Sequence, residues 1–262
     1  MYHKSVLLNE VIENLNIQPD GIYVDATLGY AGHSSEILKK LTNGHLYGFD
    51  QDDFAIEKSE EKLKTISNRY TIIRSNFSKL KEKLADYQVD KVNGILFDLG
   101  VSSVQIDDAK RGFSFHQDAK LDMRMDTTSS FSAYDVVNTY SYSELVRILR
   151  DYGEEKYATS IAKNIVKERE KQPIETTFQL VDIIKMSMPM KAMRDGHPAR
   201  KTFQAIRIEV NHELEVLKTG LKQALDLLAV GGRCCVISFH SLEDKMVKNR
   251  FQEYSSSPQE MR

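Results

Sequence analysis

The most constraining feature of this sequence is a glycine-bearing loop followed, one apolar run later, by a carboxylate. From Asp25 to His33 the chain reads Asp-Ala-Thr-Leu-Gly-Tyr-Ala-Gly-His, and the next apolar run, His45–Phe49, ends on Asp50. Gly21–Val24 predicts a strand and Ser34–Leu41 the helix that follows it. Glycine at such a turn lets the backbone approach a ligand with no Cβ in the way, and opens the left-handed region. Asp50 stands 21 positions after Gly29. That matches the roughly 20-residue offset at which a carboxylate reaches a ribose hydroxyl in α/β sheets that hold adenosine-type cofactors. The competing reading is a plain structural turn between strand and helix.

Spacing separates the cofactors. A dinucleotide site shows G-x-G-x-x-G, so that a pyrophosphate can rest on the helix N-terminus. Here the glycines are Gly29-x-x-Gly32, with Leu28 and Tyr30 flanking the first. A cofactor without a pyrophosphate needs only the close approach and the ribose carboxylate. The loop therefore favours S-adenosylmethionine over a nicotinamide.

The remaining pattern predicts an α/β protein with an insertion. Strands at 22–26, 45–49, 70–74 and 93–98 alternate with helices at 33–41, 53–66 and 78–86, the rhythm of βαβ units in a parallel sheet. A first helix carries Leu8, Val11, Ile12 and Leu15 behind Ser5, the expected N-cap. After Asp98 the rhythm breaks into a polar, aspartate-rich stretch over 104–130. Helical patterns follow at Leu145–Tyr152, Ile161–Val166 and Leu180–Ile184. A long helix over about 203–229 and a buried-type strand at Cys234–Phe239 then resume the sheet. The expected organisation is a discontinuous core, 1–103 and 201–262, interrupted by a mostly helical insertion at 104–200 that recognises substrate.

Bulk properties narrow the class. The 262 residues are 41% hydrophobic and 28% charged, an ordinary globular balance. No stretch approaches the ~20 apolar residues of a membrane span, and Met1–Ser5 leads into a helix rather than a signal peptide. Cys234 and Cys235 are adjacent and form no disulfide framework. These features predict a cytoplasmic protein without a membrane partner, compatible with a homodimer. A net charge of −2 argues against a protein that coats nucleic acid nonspecifically. Between Lys185 and Arg207, however, six cations face a single carboxylate, Asp195, with His197 among them. That stretch reads either as a solvated face or as an RNA-contacting patch.

In open parallel sheets, ligands bind at the carboxyl ends of the strands. Those ends nominate the 27–33 loop, Asp50, Asn76-Phe77, Asp98-Leu-Gly100 and His240–Asp244. Phe77 offers a face to an adenine ring, or a core contact under the loop. Asp98 offers a carboxylate to a reacting amine or to the cofactor, or caps a helix.

Six runs now converge: Asp25–His33, Phe97-Asp-Leu-Gly-Val-Ser-Ser103, Arg111-Gly-Phe-Ser-Phe115, Leu121-Asp-Met-Arg-Met-Asp126, Thr202-Phe-Gln-Ala-Ile-Arg207 and Ile237-Ser-Phe-His-Ser-Leu-Glu-Asp244. From about Lys4 to Phe251 the chain resembles the bacterial ribosomal small-subunit methyltransferase H (MraW) family. The resemblance implies a Rossmann-like class I S-adenosylmethionine-dependent methyltransferase fold. It also implies methylation of N4 of a cytidine in the decoding region of 16S rRNA, within the small ribosomal subunit. By position it puts cofactor contacts at Ala31, Gly32, His33, Asp50, Phe77, Asp98 and Gln105, the last nominated by the resemblance only. Members of the family continue some tens of residues beyond the position of Arg262, so late strands of the sheet are expected to be missing.

The chemistry expected of such a site is positioning. Methyl transfer to the cytosine amine requires no metal and no covalent intermediate, and Asp98 is the candidate catalytic acceptor or the orienting carboxylate. Cytosine C5 methylation would need a cysteine nucleophile, whereas Cys234 and Cys235 lie inside an apolar strand, where core packing is the expected role. RNA recognition falls to the insertion, where Arg111, Arg124, His197, Arg200, Lys201 and Arg207 are the candidate contacts, with Phe113 beside Arg111. The alternatives are a methyltransferase acting on a small-molecule or protein amine, a cofactor-binding protein without turnover, and a nicotinamide dehydrogenase.

Overall fold

The computed structural model describes residues 5–256. Five strands form one sheet: β1 (Ile22–Asp25), β2 (His45–Asp50), β3 (Tyr70–Arg74), β4 (Val92–Asp98) and β5 (Leu228–Ile237). Every pairing is parallel and the order is β3-β2-β1-β4-β5. β1 is thus central, with β2 on one side and β4 on the other. The connections reverse direction between β1 and β4, and this switch point opens the crevice in which such sheets hold ligands.

Strands buried on both faces read as near-continuous apolar runs, which is why β2 and β4 stand out in the sequence. One face of the sheet packs Phe49, Ile95 and Phe97 with Leu80, Leu84, Leu217, Leu221 and Val247. These come from helices α4 (Leu80–Ala85), α11 (Glu213–Leu227) and α12 (Ser241–Ser255). The other face packs Tyr23, Leu46 and Leu96 with Val11, Leu15, Ile37, Leu38 and Leu63, from α1 (Leu8–Leu15), α2 (Gly32–Lys39) and α3 (Asp53–Leu63). Burying a leucine or isoleucine side chain in either layer contributes roughly 1.5–3 kcal/mol.

The chain divides into two compact units, residues 1–104 with 214–262, and residues 105–213. The second unit is helical. It holds α6 (Ala133–Thr139), α7 (Tyr142–Asp151), α8 (Ala158–Arg169), α9 (Thr177–Met186) and α10 (Arg200–Asn211), and the short α5 (Ser103–Asp107) straddles its start. Its core includes Val136, Leu145, Ile148, Leu149, Ile161, Ile165, Leu180, Ile184 and Ile206, all buried. Capping boxes start α7 (Ser141 with Glu144) and α9 (Thr176 with Gln179), satisfying backbone donors that a helix start leaves open.

Four expectations change. The single helix over 203–229 is two, α10 and α11, broken at His212 in the left-handed conformation (φ 50°). The return to the sheet unit accordingly falls at 213/214 rather than 200/201, because α10 packs on α7 and α6. The last strand begins at Leu228, not Cys234, running through Gly231-Gly232 with a register shift opposite Val92–Gly94. Ser5 does not cap α1; the N-cap position falls on Leu7, at φ 49°, with no side-chain cap.

Candidate active site

Asp25, the last residue of β1, is buried to 1% exposure and organises the loop after it. Its Oδ1 accepts from the Thr27 amide at 3.1 Å and its Oδ2 from the Ser34 hydroxyl at 2.7 Å. Burial pushes its carboxyl above the ordinary carboxylate range, against those hydrogen bonds. Gly29 then takes φ 54° and Ala31 φ 59°, conformations costly for any residue but glycine. The Ser59 hydroxyl donates to the Gly29 carbonyl at 2.6 Å. Gly32 opens α2 with Ser5 packed where a β-carbon would stand, so the chain just before α1 lies against the loop.

Asp50, at the end of β2, is tied to the same loop. Its Oδ2 accepts from the Gly29 amide at 2.9 Å and its Oδ1 from the Asp52 amide at 2.9 Å. Burial raises its pKa to about 6, opposed by those backbone donors. Each carboxylate oxygen keeps a second lone pair, so the group can brace the loop and still accept a ligand hydroxyl.

Asp98 ends β4 beside β1, its amide donating to the Thr27 hydroxyl at 2.7 Å. Its Oδ1 is buried without a hydrogen-bond partner, a state that costs a charged acceptor more than the ~1–3 kcal/mol of a neutral one. Its Oδ2 lies 3.7 Å from His33 Nδ1. His33 Nε2 meets the Val6 carbonyl at 2.8 Å, and since a carbonyl only accepts, Nε2 carries the hydrogen. Burial raises Asp98 to about 6, with His33 lowering it and Asp25 raising it.

Phe77 lies in the 3-10 turn after β3, half-buried, edge-on to Phe97 at 5.1 Å. Gly220 on α11 is tight against it. The core contact and an open remainder of the ring are therefore both real. Gln105 is buried and belongs to the helical unit. At the end of β5, Phe239 is 58% exposed, and its ring lies 3.5 Å from where a β-carbon on Gly100 would be. His240 and Glu243 are occupied in capping α12, with His240 Nε2 at 3.1 Å from Glu243 Oε1.

Sequence reasoning named the 27–33 loop, and so Thr27, but not the roles of Asp25, Ser34, Ser59 and Phe239 in this cluster. Only the aspartate-x-threonine spacing after β1 signalled a side chain turning back onto its own backbone.

The cysteines point away from nucleophilic chemistry. Burial, helped by its neighbour, pushes the Cys234 thiol up to about 12, and burial also raises Cys235. A reactive thiol needs the opposite shift.

In the helical unit, three nominated cations have internal duties. Arg111 donates to the Arg124 and Met125 carbonyls at 2.9 and 3.3 Å. Arg124 grips both oxygens of Asp122 at 2.7 and 2.8 Å. Arg207 pairs with Glu213 at 3.1 Å, both largely buried. Phe113 is core. Arg200 and Lys201 are exposed and His197 half-exposed, so these three stay accessible.

Relatives named ribosomal RNA small subunit methyltransferase H come from Exiguobacterium sibiricum, 60% identical over 98% of this chain and 83% of its own length, and from Clostridioides difficile, 56% identical over 97% and 83%. A third, from Limosilactobacillus fermentum, is 56% identical over 98% and 82%. A solved putative rRNA-methylase from Clostridium thermocellum aligns over 39% of this chain and 55% of its own, at 24% identity and a TM-score of 0.33. The pattern of the MraW methylase family matches residues 1–262 without interruption, and the chain belongs to that family.

Proposed function

We propose that this protein transfers the methyl group of S-adenosylmethionine to N4 of a cytidine in the decoding region of 16S rRNA, within the small ribosomal subunit and hence in the cytoplasm. The observation that carries the reading is Asp98, a carboxylate at the switch point whose Oδ1 is buried with no partner. A bound cationic donor supplies that partner and removes the desolvation cost of leaving it unpaired. The cofactor fits the rest of the cluster in the same way. Asp50 has lone pairs free for ribose hydroxyls, Gly29 and Ala31 turn the backbone toward the crevice, Gly32 and His33 continue that cradle into α2, and Phe77 keeps a face for the adenine. Gln105 joins this set on family resemblance alone.

The cofactor supplies an activated methyl on a sulfonium. The protein's part is to aim the acceptor. Cytosine N4 is a weak nucleophile because its lone pair is delocalised into the ring, and correct placement can contribute ~7–11 kcal/mol of the barrier. Ionised Asp98 either accepts an amine N–H or orients the donor's amino group. Phe239, exposed beside Gly100, gives the base an aromatic face, as RNA-modifying sites use for bases removed from their stack. No step calls for a metal or a covalent adduct, and a C5 route would need a thiolate that Cys234 and Cys235 are ill placed to form.

The decisive experiment is transfer of labelled methyl to small subunits from cells lacking the modification, followed by nuclease mapping. Label at N4 of one cytidine in the decoding region is expected. Label on a protein or small amine, or none despite donor binding, would overturn the reading.

A further inference from the structure

The helical unit contains a cavity of about 560 Å³ between the α7–α8 turn and the segment leading into α10. Lys156, Lys191, Arg200 and Lys201 line it, together with His197 and Tyr157. Among the described side chains its one lining carboxylate is Glu155, which is buried and accepts from the Tyr157 amide at 2.9 Å. Lys201 donates to the Glu154 carbonyl at 3.3 Å, and Lys156 lies 5.9 Å from the centre of the Tyr157 ring. None of the four cations is in an ion pair with a carboxylate among the described side chains.

The wall is built before any ligand arrives. The His197 ring stacks on Phe115 at 4.3 Å and 24°, and Phe115 in turn meets Phe203 edge-on at 5.6 Å. His197 Nδ1 accepts from the Ala199 amide at 3.2 Å. Burial holds His197 below the ordinary imidazole range, and His116, Lys185 and Arg200 push it further down. A concave surface that gathers cations at this density repels itself until an anion enters, and its volume is in the range of small-ligand sites.

We propose that this cavity takes a nucleotide of the substrate RNA, with Lys156, Lys191, Arg200 and Lys201 on its phosphodiesters and Tyr157 or His197 against its base. The inference deepens the rRNA reading and rests on it for the identity of the anion. It adds Lys156, which sequence alone did not nominate, and singles out Lys191 from the cationic stretch between Lys185 and Arg207.

The test measures binding of a fluorescein-labelled single-stranded RNA from the decoding region to the full chain across a salt series. For single strands the slope of log K against log salt is about −0.7 per neutralised phosphate. The double variant Lys156→Gln, Lys191→Gln should flatten the slope by about 1.4 in total, about 0.7 for each lysine removed. Lys156→Arg, Lys191→Arg should restore it, with donor binding by calorimetry unchanged in both. An unaltered slope in the Gln variant overturns the proposal. So does competition in which inorganic phosphate or a free nucleotide fills the cavity while RNA binding stays as in wild type. The two readings fail separately. RNA binding that depends on these lysines without N4 methylation removes the function and keeps the cavity, whereas N4 methylation with an unchanged KM for small subunits in the Gln variant removes the cavity alone.

Discussion

Asp50 and Asp98 give the site a pH dependence with two opposite signs. Burial is the largest influence on each and raises both from 3.8 to about 6, and Asp25 shifts in the same direction. Such groups bind a proton more tightly in the folded chain than in the unfolded one. Their contribution to the stability of the donor-free protein is therefore fully present below the unfolded carboxylate value and is lost as pH rises through about 6. Donor binding runs the other way, because a cationic ligand wants both carboxylates ionised. Its dissociation constant should rise as pH falls through about 6, while the donor-free protein becomes more stable from the same protonations. Asp98→Asn separates the effects: the variant should bind donor more weakly at neutral pH, with a flatter profile, and should lose part of the stability gained on acidification. Calorimetric titrations and thermal midpoints from about pH 5 to 7.5 would read both. A wild-type donor profile that is level across that range would show that neither carboxylate meets the cation.

At the scale of elements, what could be read from the sequence was whatever is enforced by burial. β2 and β4 are apolar on both faces because both faces are covered, and their ends located Asp50 and Asp98. The break between α10 and α11 was hidden, because Phe203, Ile206, Val210, Leu214, Leu217 and Leu221 keep one helical period straight through it. Only Asn211-His212, residue types that tolerate left-handed backbone better than most, marked the interruption. Charge was equally opaque. Arg111, Arg124 and Arg207 look in the sequence like Arg200, yet they are spent on carbonyls and carboxylates inside the helical unit. Pairing depends on the fold, and composition does not report it. The helix break is itself testable. His212 is exposed at φ 50°, a conformation that costs a non-glycine residue roughly 1–2 kcal/mol. His212→Gly should therefore raise the urea midpoint, by an amount corresponding to roughly 0.5–1 kcal/mol after the added unfolded-state entropy of glycine. A lower midpoint would mean that the imidazole, rather than the local backbone, holds the break.

For the molecule as a whole, the distribution of charge bears on what form of RNA can be the substrate. The chain carries −2 overall, yet four cations with no ion pair among the described side chains gather at one cavity in the helical unit. Proteins that hold naked strands do so by neutralising many phosphates, and their affinity falls steeply with salt. A cavity with four cations on its wall can hold only a short piece of backbone, so most of the orientation of the target base must come from a substrate that is already folded. In a particle the decoding-region strand is fixed in place, and the entropy of ordering it is not charged to the enzyme. The expected outcome is that kcat/KM on small subunits exceeds that on a short oligonucleotide of the same sequence by on the order of a hundredfold, equivalent to ~2.7 kcal/mol of transition-state stabilisation. Parallel labelled-methyl assays at one ionic strength would measure the ratio. Because the oligonucleotide retains the target cytidine and its phosphates, equal rates would mean that the site and the cavity suffice, and that the architecture of the ribosomal particle contributes nothing to recognition.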